Sequence, residues 1–107
     1  MPNAFKLEIP VALTAAALFA KLAPLKSIGT MKIKFVQEQE KRLLFFAPQS
    51  LFLPAQNILL LCKQSGEKAA KLIVNSALVS PKITIDFGQN KRNCEIVKKF
   101  VDGLLAP

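Results

Sequence analysis

Cys62 and Cys94 are the only thiols in a chain of 107 residues that contains no histidine, tyrosine or tryptophan. Without an imidazole there is no general base poised near neutrality, no imidazole metal ligand and no Ser-His or Cys-His pair. The two cysteines lie far apart, form no C-x-x-C and are too few to hold zinc by themselves. In an otherwise ordinary apolar chain they read as buried or partly buried free thiols. That points to a reducing compartment, mitochondrial or cytoplasmic, rather than to secretion. The acidic residues offer no acid–base pair either: Glu38 and Glu40 sit two apart in a polar break between basic neighbours, as solvated surface does. Gly29, Gly66, Gly88 and Gly103 are isolated, so no loop cradles a phosphate, and each reads as a turn or a stop. These residues lead us to expect a non-enzymatic protein with no catalytic group, no metal and no cofactor.

The basic residues are the remaining chemistry. Lys and Arg number 15 against 7 Asp and Glu, a net charge of +8, while 51% of the chain is apolar and the mean hydropathy is +0.33. Excess positive charge attracts polyanions over long range and by counterion release. Lys32 and Lys34 share one face of an expected strand, Lys91, Arg92, Lys98 and Lys99 share one face of an expected helix, and Lys82 lies near an element end. Lysine predominates over arginine, which suits contact with phosphate by point charge rather than bidentate reading of bases. The expected nucleic-acid-binding set is therefore Lys32, Lys34, Lys82, Lys91, Arg92, Lys98 and Lys99, touching the backbone only. Phe35 and Phe87 are expected to point inward, leaving no aromatic platform for base stacking. For the helical group the alternative is a solvated helix face.

These side chains need elements to position them, and the length suits one α+β domain, with residues 1–28 as an N-terminal extension and helix and 29–107 as the core. Phe5, Leu7 and Ile9 alternate with Lys6 and Glu8 as a short extended segment ended by Pro10. Val11 to Leu22 is rich in Ala and Leu and reads as a packed helix. Its apolar run has the length of a signal-peptide core but is too short for a membrane span of ~20 residues. Met31 to Val36 alternates as a half-buried strand. Arg42 to Ala47 reads as a returning strand or a helical turn. Ala55 to Lys63 reads as a helix opened by Pro54 and stopped at Gly66, since its Leu, Gln, Cys and Lys are not β-branched. Glu67 to Val79 has a helical and an extended reading. Lys82 to Phe87 reads as a strand and Lys91 to Leu105 as a helix. The helix would bury Cys94, Val97, Phe100, Val101, Leu104 and Leu105, take Asn90 or Asn93 as its cap, and be weakened by Gly103.

The order strand, helix, a further strand, strand, helix, together with Met31-Lys32-Ile33-Lys34-Phe35, Ser65-Gly66-Glu67-Lys68 and Ile83-Thr84-Ile85-Asp86-Phe87-Gly88, resembles thioredoxin-like mitochondrial large-subunit ribosomal proteins over about two-thirds of the chain. The apolar segment Leu43 to Leu61 departs from that family. The resemblance implies a reduced thioredoxin-like β-α-β-β-α core, with an extra N-terminal helix and a small sheet covered on one face by helices. It also implies a structural subunit of an organellar ribosome, a ribonucleoprotein whose RNA and neighbouring protein subunits are the partners. Two alternatives compete with it: a peripheral accessory subunit laying Val11–Leu22 on an anionic membrane surface, and a protein–protein adaptor.

Overall fold

The computed structural model describes residues 4–49, 54–79 and 88–106. In chain order these form β1 (Ala4–Val11), α1 (Ala15–Leu22), β2 (Ser27–Ile28), β3 (Met31–Gln37), β4 (Arg42–Ala47), β5 (Gln56–Gly66), β6 (Ala69–Leu78) and α2 (Gln89–Leu105). The strands make one six-stranded sheet in the order β1-β6-β5-β4-β3-β2, with every neighbouring pair antiparallel. From β2 to β6 the chain meanders, and β1 returns to pair with β6 from Ala4↔Ala77 to Val11↔Ala70. The sheet curls into a half-barrel, and both helices lie on its concave side.

The expected thioredoxin-like β-α-β-β-α core is therefore corrected. The decisive segment is Ala55 to Lys63, which is not a helix but most of β5. Along it Gln56, Ile58, Leu60 and Cys62 are buried, while Asn57, Leu59 and Leu61 are only half-buried on the convex face. Those outer leucines have apolar company across the sheet, with Leu44 opposite Leu59 and Ile73 opposite Leu61. With both faces apolar, the two-residue alternation that marks a strand is erased, and leucine's helical propensity misleads.

Other elements shift for identifiable reasons. β1 runs through Pro10 to Val11, because it is an edge strand and a missing N–H costs nothing on the open side. The first helix accordingly begins at Ala15, where the Thr14 hydroxyl accepts the N–H of Ala17 at 3.1 Å. Arg42–Ala47 and Ala69–Leu78 are both strands. In β3 a bulge between Ile33 and Phe35 places Lys34 as an extra residue. Phe35, expected inward, is thereby turned outward and is 41% exposed. Helix α2 begins after Gly88, whose φ of 76° is a left-handed conformation that glycine adopts without strain. Asn90 and Asn93, expected as caps, instead lie buried on its inner face, and Leu104 is exposed. The strand expected at Lys82 to Phe87 lies outside the described residues.

The core sits between the concave face and the two helices. Leu18 and Leu22 of α1, Leu60, Leu72 and Val74 of the sheet, and Val97 and Val101 of α2 are completely buried. Each such side chain contributes about 1.5–3 kcal/mol by leaving water.

Candidate functional site

The start of helix α1 is tied to the sheet by a hydrogen bond. Its Ala15 N–H donates to Gln64 Oε1 of β5 at 2.7 Å, and the Gln64 amide nitrogen donates in turn to the carbonyl oxygens of Gly66 and Glu67 at the β5–β6 turn. The helix thus rests across β5 and β6, with Leu18 and Leu22 beneath it, and leaves the β3 side of the concave face uncovered. Val36 reports this directly. It pairs with Leu43 across β3–β4, on the concave side, yet Val36 is 41% exposed while Leu43 is completely buried.

The uncovered stretch is a cleft of about 440 Å³ between Ala16, Phe19 and Ala20 of α1, Ala23 just past its end, and Val36, with Glu38 and Lys41 at its edge. A second cleft of about 560 Å³ shares Ala16 and Lys41 with it, and is lined also by Thr14, Ala15, Glu40, Leu61, Cys62, Lys63 and Gln64. Volumes of this size are those of small-ligand sites. The room exists because α1 presents alanines at helical spacing toward β3, where larger side chains would fill the gap.

Lys41 stands where the two clefts meet. It has a φ of 55°, the left-handed region that a side-chain-bearing residue enters at a cost, and it closes the β3–β4 turn. Two backbone bonds hold it there: its N–H donates to Glu38 O at 3.2 Å and its carbonyl accepts the Cys62 N–H at 3.0 Å. Burial pushes the Cys62 thiol up to about 11, and the nearby Lys41 charge pulls the other way. The Cys94 thiol, also raised to about 11 by burial, donates to the carbonyls of Phe5 and Val74 at 3.5 and 3.8 Å. Both cysteines are free thiols, protonated near neutrality and poor nucleophiles.

A second polar group lies in the core under the start of α2. Ser76 Oγ donates to Asn90 Oδ1 at 2.8 Å, and Asn93 Nδ2 donates to Ser76 Oγ at 3.0 Å and to Gln56 Oε1 at 3.2 Å. The amide of Gln89 closes the chain by donating to Asn93 Oδ1 at 2.8 Å. These are neutral groups whose hydrogen bonds are spent on one another. They fix how α2 docks on β5 and β6 rather than offering a vacant donor.

The sequence-predicted basic residues do not form one surface. Lys32 and Lys34 project from the convex face of β3, where Lys34 Nζ lies 5.2 Å from the Phe46 ring centroid. Lys91, Arg92, Lys98 and Lys99 are on the exposed side of α2, on the opposite side of the sheet. Lys98 is engaged with Asp102 at 3.0 Å, Arg92 donates to Gln89, and Lys82 lies outside the described residues. Sequence reasoning missed the cleft and Lys41. The available signal was the spacing of Ala16, Ala20 and Ala23, a small-residue face within the segment Val11 to Leu22 read as a packed helix and the residue just after it.

No family model matches the chain, and no curated protein matches it in sequence. Solved structures do match it in shape. A START superfamily protein from Mycobacterium smegmatis superposes with a TM-score of 0.64 at 10% identity, over 94% of each chain. An uncharacterised protein from Bacillus thuringiensis gives 0.70 at 5% identity, over 94% of this chain and 95% of that one. Norcoclaurine synthase from Thalictrum flavum, in complex with dopamine and hydroxybenzaldehyde, gives 0.59 at 10% identity, over 97% and 88%. None of these is a thioredoxin-like ribosomal protein. The expected structural subunit of an organellar ribosome rested on that resemblance and is corrected with it. So are RNA and neighbouring subunits as partners, and the membrane-accessory and adaptor alternatives. What the likeness establishes is architecture: this chain has a START-like fold, a curled antiparallel half-barrel gripped by its C-terminal helix.

Proposed function

We propose that the chain is a small-molecule-binding protein that holds a largely apolar organic ligand in the cleft between α1 and β3. The observation that carries this reading is Val36, an apolar side chain on the concave face left open to solvent beside a helix face of alanines. Exposed apolar surface in a concave, rimmed setting is where ligands gain most from leaving water. Support of a second kind comes from the Thalictrum flavum synthase, a protein of this shape found with two small aromatic molecules. Binding without chemistry fits the residues at hand, because the cleft offers alanine, valine and phenylalanine with Glu38 and Lys41 at its edge, the adjoining cleft a thiol pushed up to about 11, and the chain no histidine.

The absence of tryptophan and tyrosine makes the test clean, since a fluorescent probe meets no strong intrinsic emission. N-phenylnaphthylamine, a neutral apolar dye, should brighten on titration with the protein. Ala20→Phe places a ring in the cleft on an exposed helix position and should weaken that binding at least about tenfold while the far-UV circular dichroism stays unchanged. A dye that binds Ala20→Phe and the parent chain equally would remove the cleft as the site.

A further inference from the structure

The convex face of the sheet carries a charge pattern with a gap in it. Lys6 and Glu8 of β1 lie opposite Asn75 and Ile73 of β6, and Lys71 of β6 lies opposite Lys63 of β5. These side chains point away from the core, since their strand neighbours Leu7, Ile9 and Leu72 pack into it and Gln64 reaches α1. Glu8 bridges Lys6 and Lys71 at 3.6 and 3.7 Å, so positive, negative and positive groups alternate there. The next step, from Lys71 to Lys63, sets two ammonium-bearing residues directly opposite each other. Side chains so placed have Cβ atoms about 4.5–5.5 Å apart, and like charges there oppose folding. Among the described residues Lys63 enters no ion pair.

The same residues enclose a hollow of about 410 Å³, between Lys6 and Glu8 of β1, Lys71 and Ile73 of β6, and Lys63, Gln64 and Ser65 of β5. Three ammonium groups face one carboxylate in it, an excess of two positive charges. Ser65 is the extra residue of an irregularity between Gln64 and Gly66, the kind of insertion that re-aims a side chain. Its hydroxyl has no partner among the described residues and keeps its hydrogen to donate. We propose that this hollow binds a dianionic phosphate group, as inorganic phosphate or as a small phosphate monoester, seated between Lys63 and Lys71 with Ser65 donating to it. Such a group carries about −1.5 to −2 at pH 7 and offers three acceptor oxygens. It balances the surplus that Glu8 leaves, and two ammonium groups and a hydroxyl can share it. Lysine suits the task, since it meets phosphate as a movable point charge. The hollow is on the opposite face of the sheet from the α1–β3 cleft, so it stands whatever that cleft holds.

Inorganic phosphate, methyl phosphate and dimethyl phosphate, the last a monoanion of similar shape, separate site binding from general attraction. In amide-resolved NMR titrations at constant ionic strength, the first two should shift Lys63, Ser65 and Lys71 saturably. Dimethyl phosphate should bind at least about tenfold more weakly. Lys63→Gln should weaken methyl phosphate about tenfold, whereas Lys99→Gln, on the exposed side of α2, should leave it unchanged. Glu8→Gln removes the competing carboxylate and should tighten binding. Saturation by inorganic phosphate alone would support the site and assign the free ion as its ligand. Equal affinity for methyl and dimethyl phosphate, shifts that do not saturate, or undiminished binding in Lys63→Gln overturns the proposal and leaves these lysines as solvated surface.

Discussion

Cys62 and Cys94 illustrate how much a residue's chemistry is set by its surroundings. Each thiol is buried, 4% and 0% exposed, and each is pushed from 9.0 up to about 11 by loss of water around the charged form. A folded-state value above the unfolded one means that the folded chain retains these protons after the unfolded chain has lost them. Stability from this source is therefore intact below pH 9 and declines as pH rises from about 9 toward 11. Summed over two thiols, the loss is on the order of 4–5 kcal/mol by the top of that window. Urea unfolding at several pH values should show the decline in the parent chain and a flatter profile in a Cys62→Ala, Cys94→Ala variant, which separates thiol ionisation from that of the lysines. Parallel profiles would place the decline elsewhere. Burial of the cysteines was legible from composition. Their separation, one beside the Lys41 cleft and one under α2, was not, because it depends on pairing between distant strands.

Among the elements, legibility followed the number of faces each has to bury. Helix α2 buries one, and its apolar positions at Cys94, Val97 and Val101 mark it plainly in the sequence. Strand β5 is apolar on both faces, and its run Ile58 to Leu61 carries no period that tells strand from helix. Strand β3 alternates cleanly, but its bulge at Lys34 lies in register with β4, information no single strand contains. The cleft was illegible for a related reason: it is a space left between α1 and β3, and sequence patterns report what is filled. At this scale Gly103 gives a direct test. It lies in the last turns of α2, exposed, with helical rather than left-handed backbone, and an added Cβ would meet nothing within 4 Å. Gly103→Ala should therefore stabilise the protein by about 0.5–1 kcal/mol by removing backbone freedom from the unfolded chain. That corresponds to a rise of roughly 2–8 °C in Tm for a domain of this size. A melting temperature that stays put or falls would mean that α2 frays before Gly103 in solution.

At the scale of the molecule, the convex face of the sheet resolves the tension between a greasy and a strongly basic composition. Leu44, Phe46, Leu59, Leu61 and Ile73 form a half-buried apolar row across β4, β5 and β6, continued by exposed Phe35 on β3. Lys6, Lys32, Lys34, Arg42, Lys63 and Lys71 surround that row, and among the described residues Glu8 bridges Lys6 and Lys71 at 3.6 and 3.7 Å. Two copies meeting through this face would bring like charges together while burying apolar side chains. Charge repulsion between exposed groups is screened within about 10 Å at 0.1 M salt and within about 3 Å at 1 M, whereas the apolar attraction is not. The balance should consequently tip with ionic strength. Sedimentation velocity is expected to show a monomer at low salt and reversible self-association as sodium chloride is raised toward 1 M, with Leu59→Lys suppressing the associated species. The edges of the sheet should play no part, since β1 carries Pro10 and β2 has only two residues. Association that weakens as salt is added would instead identify opposite charges as its cause, and the convex row would then be inert surface kept apart from solvent by its own lysine stems.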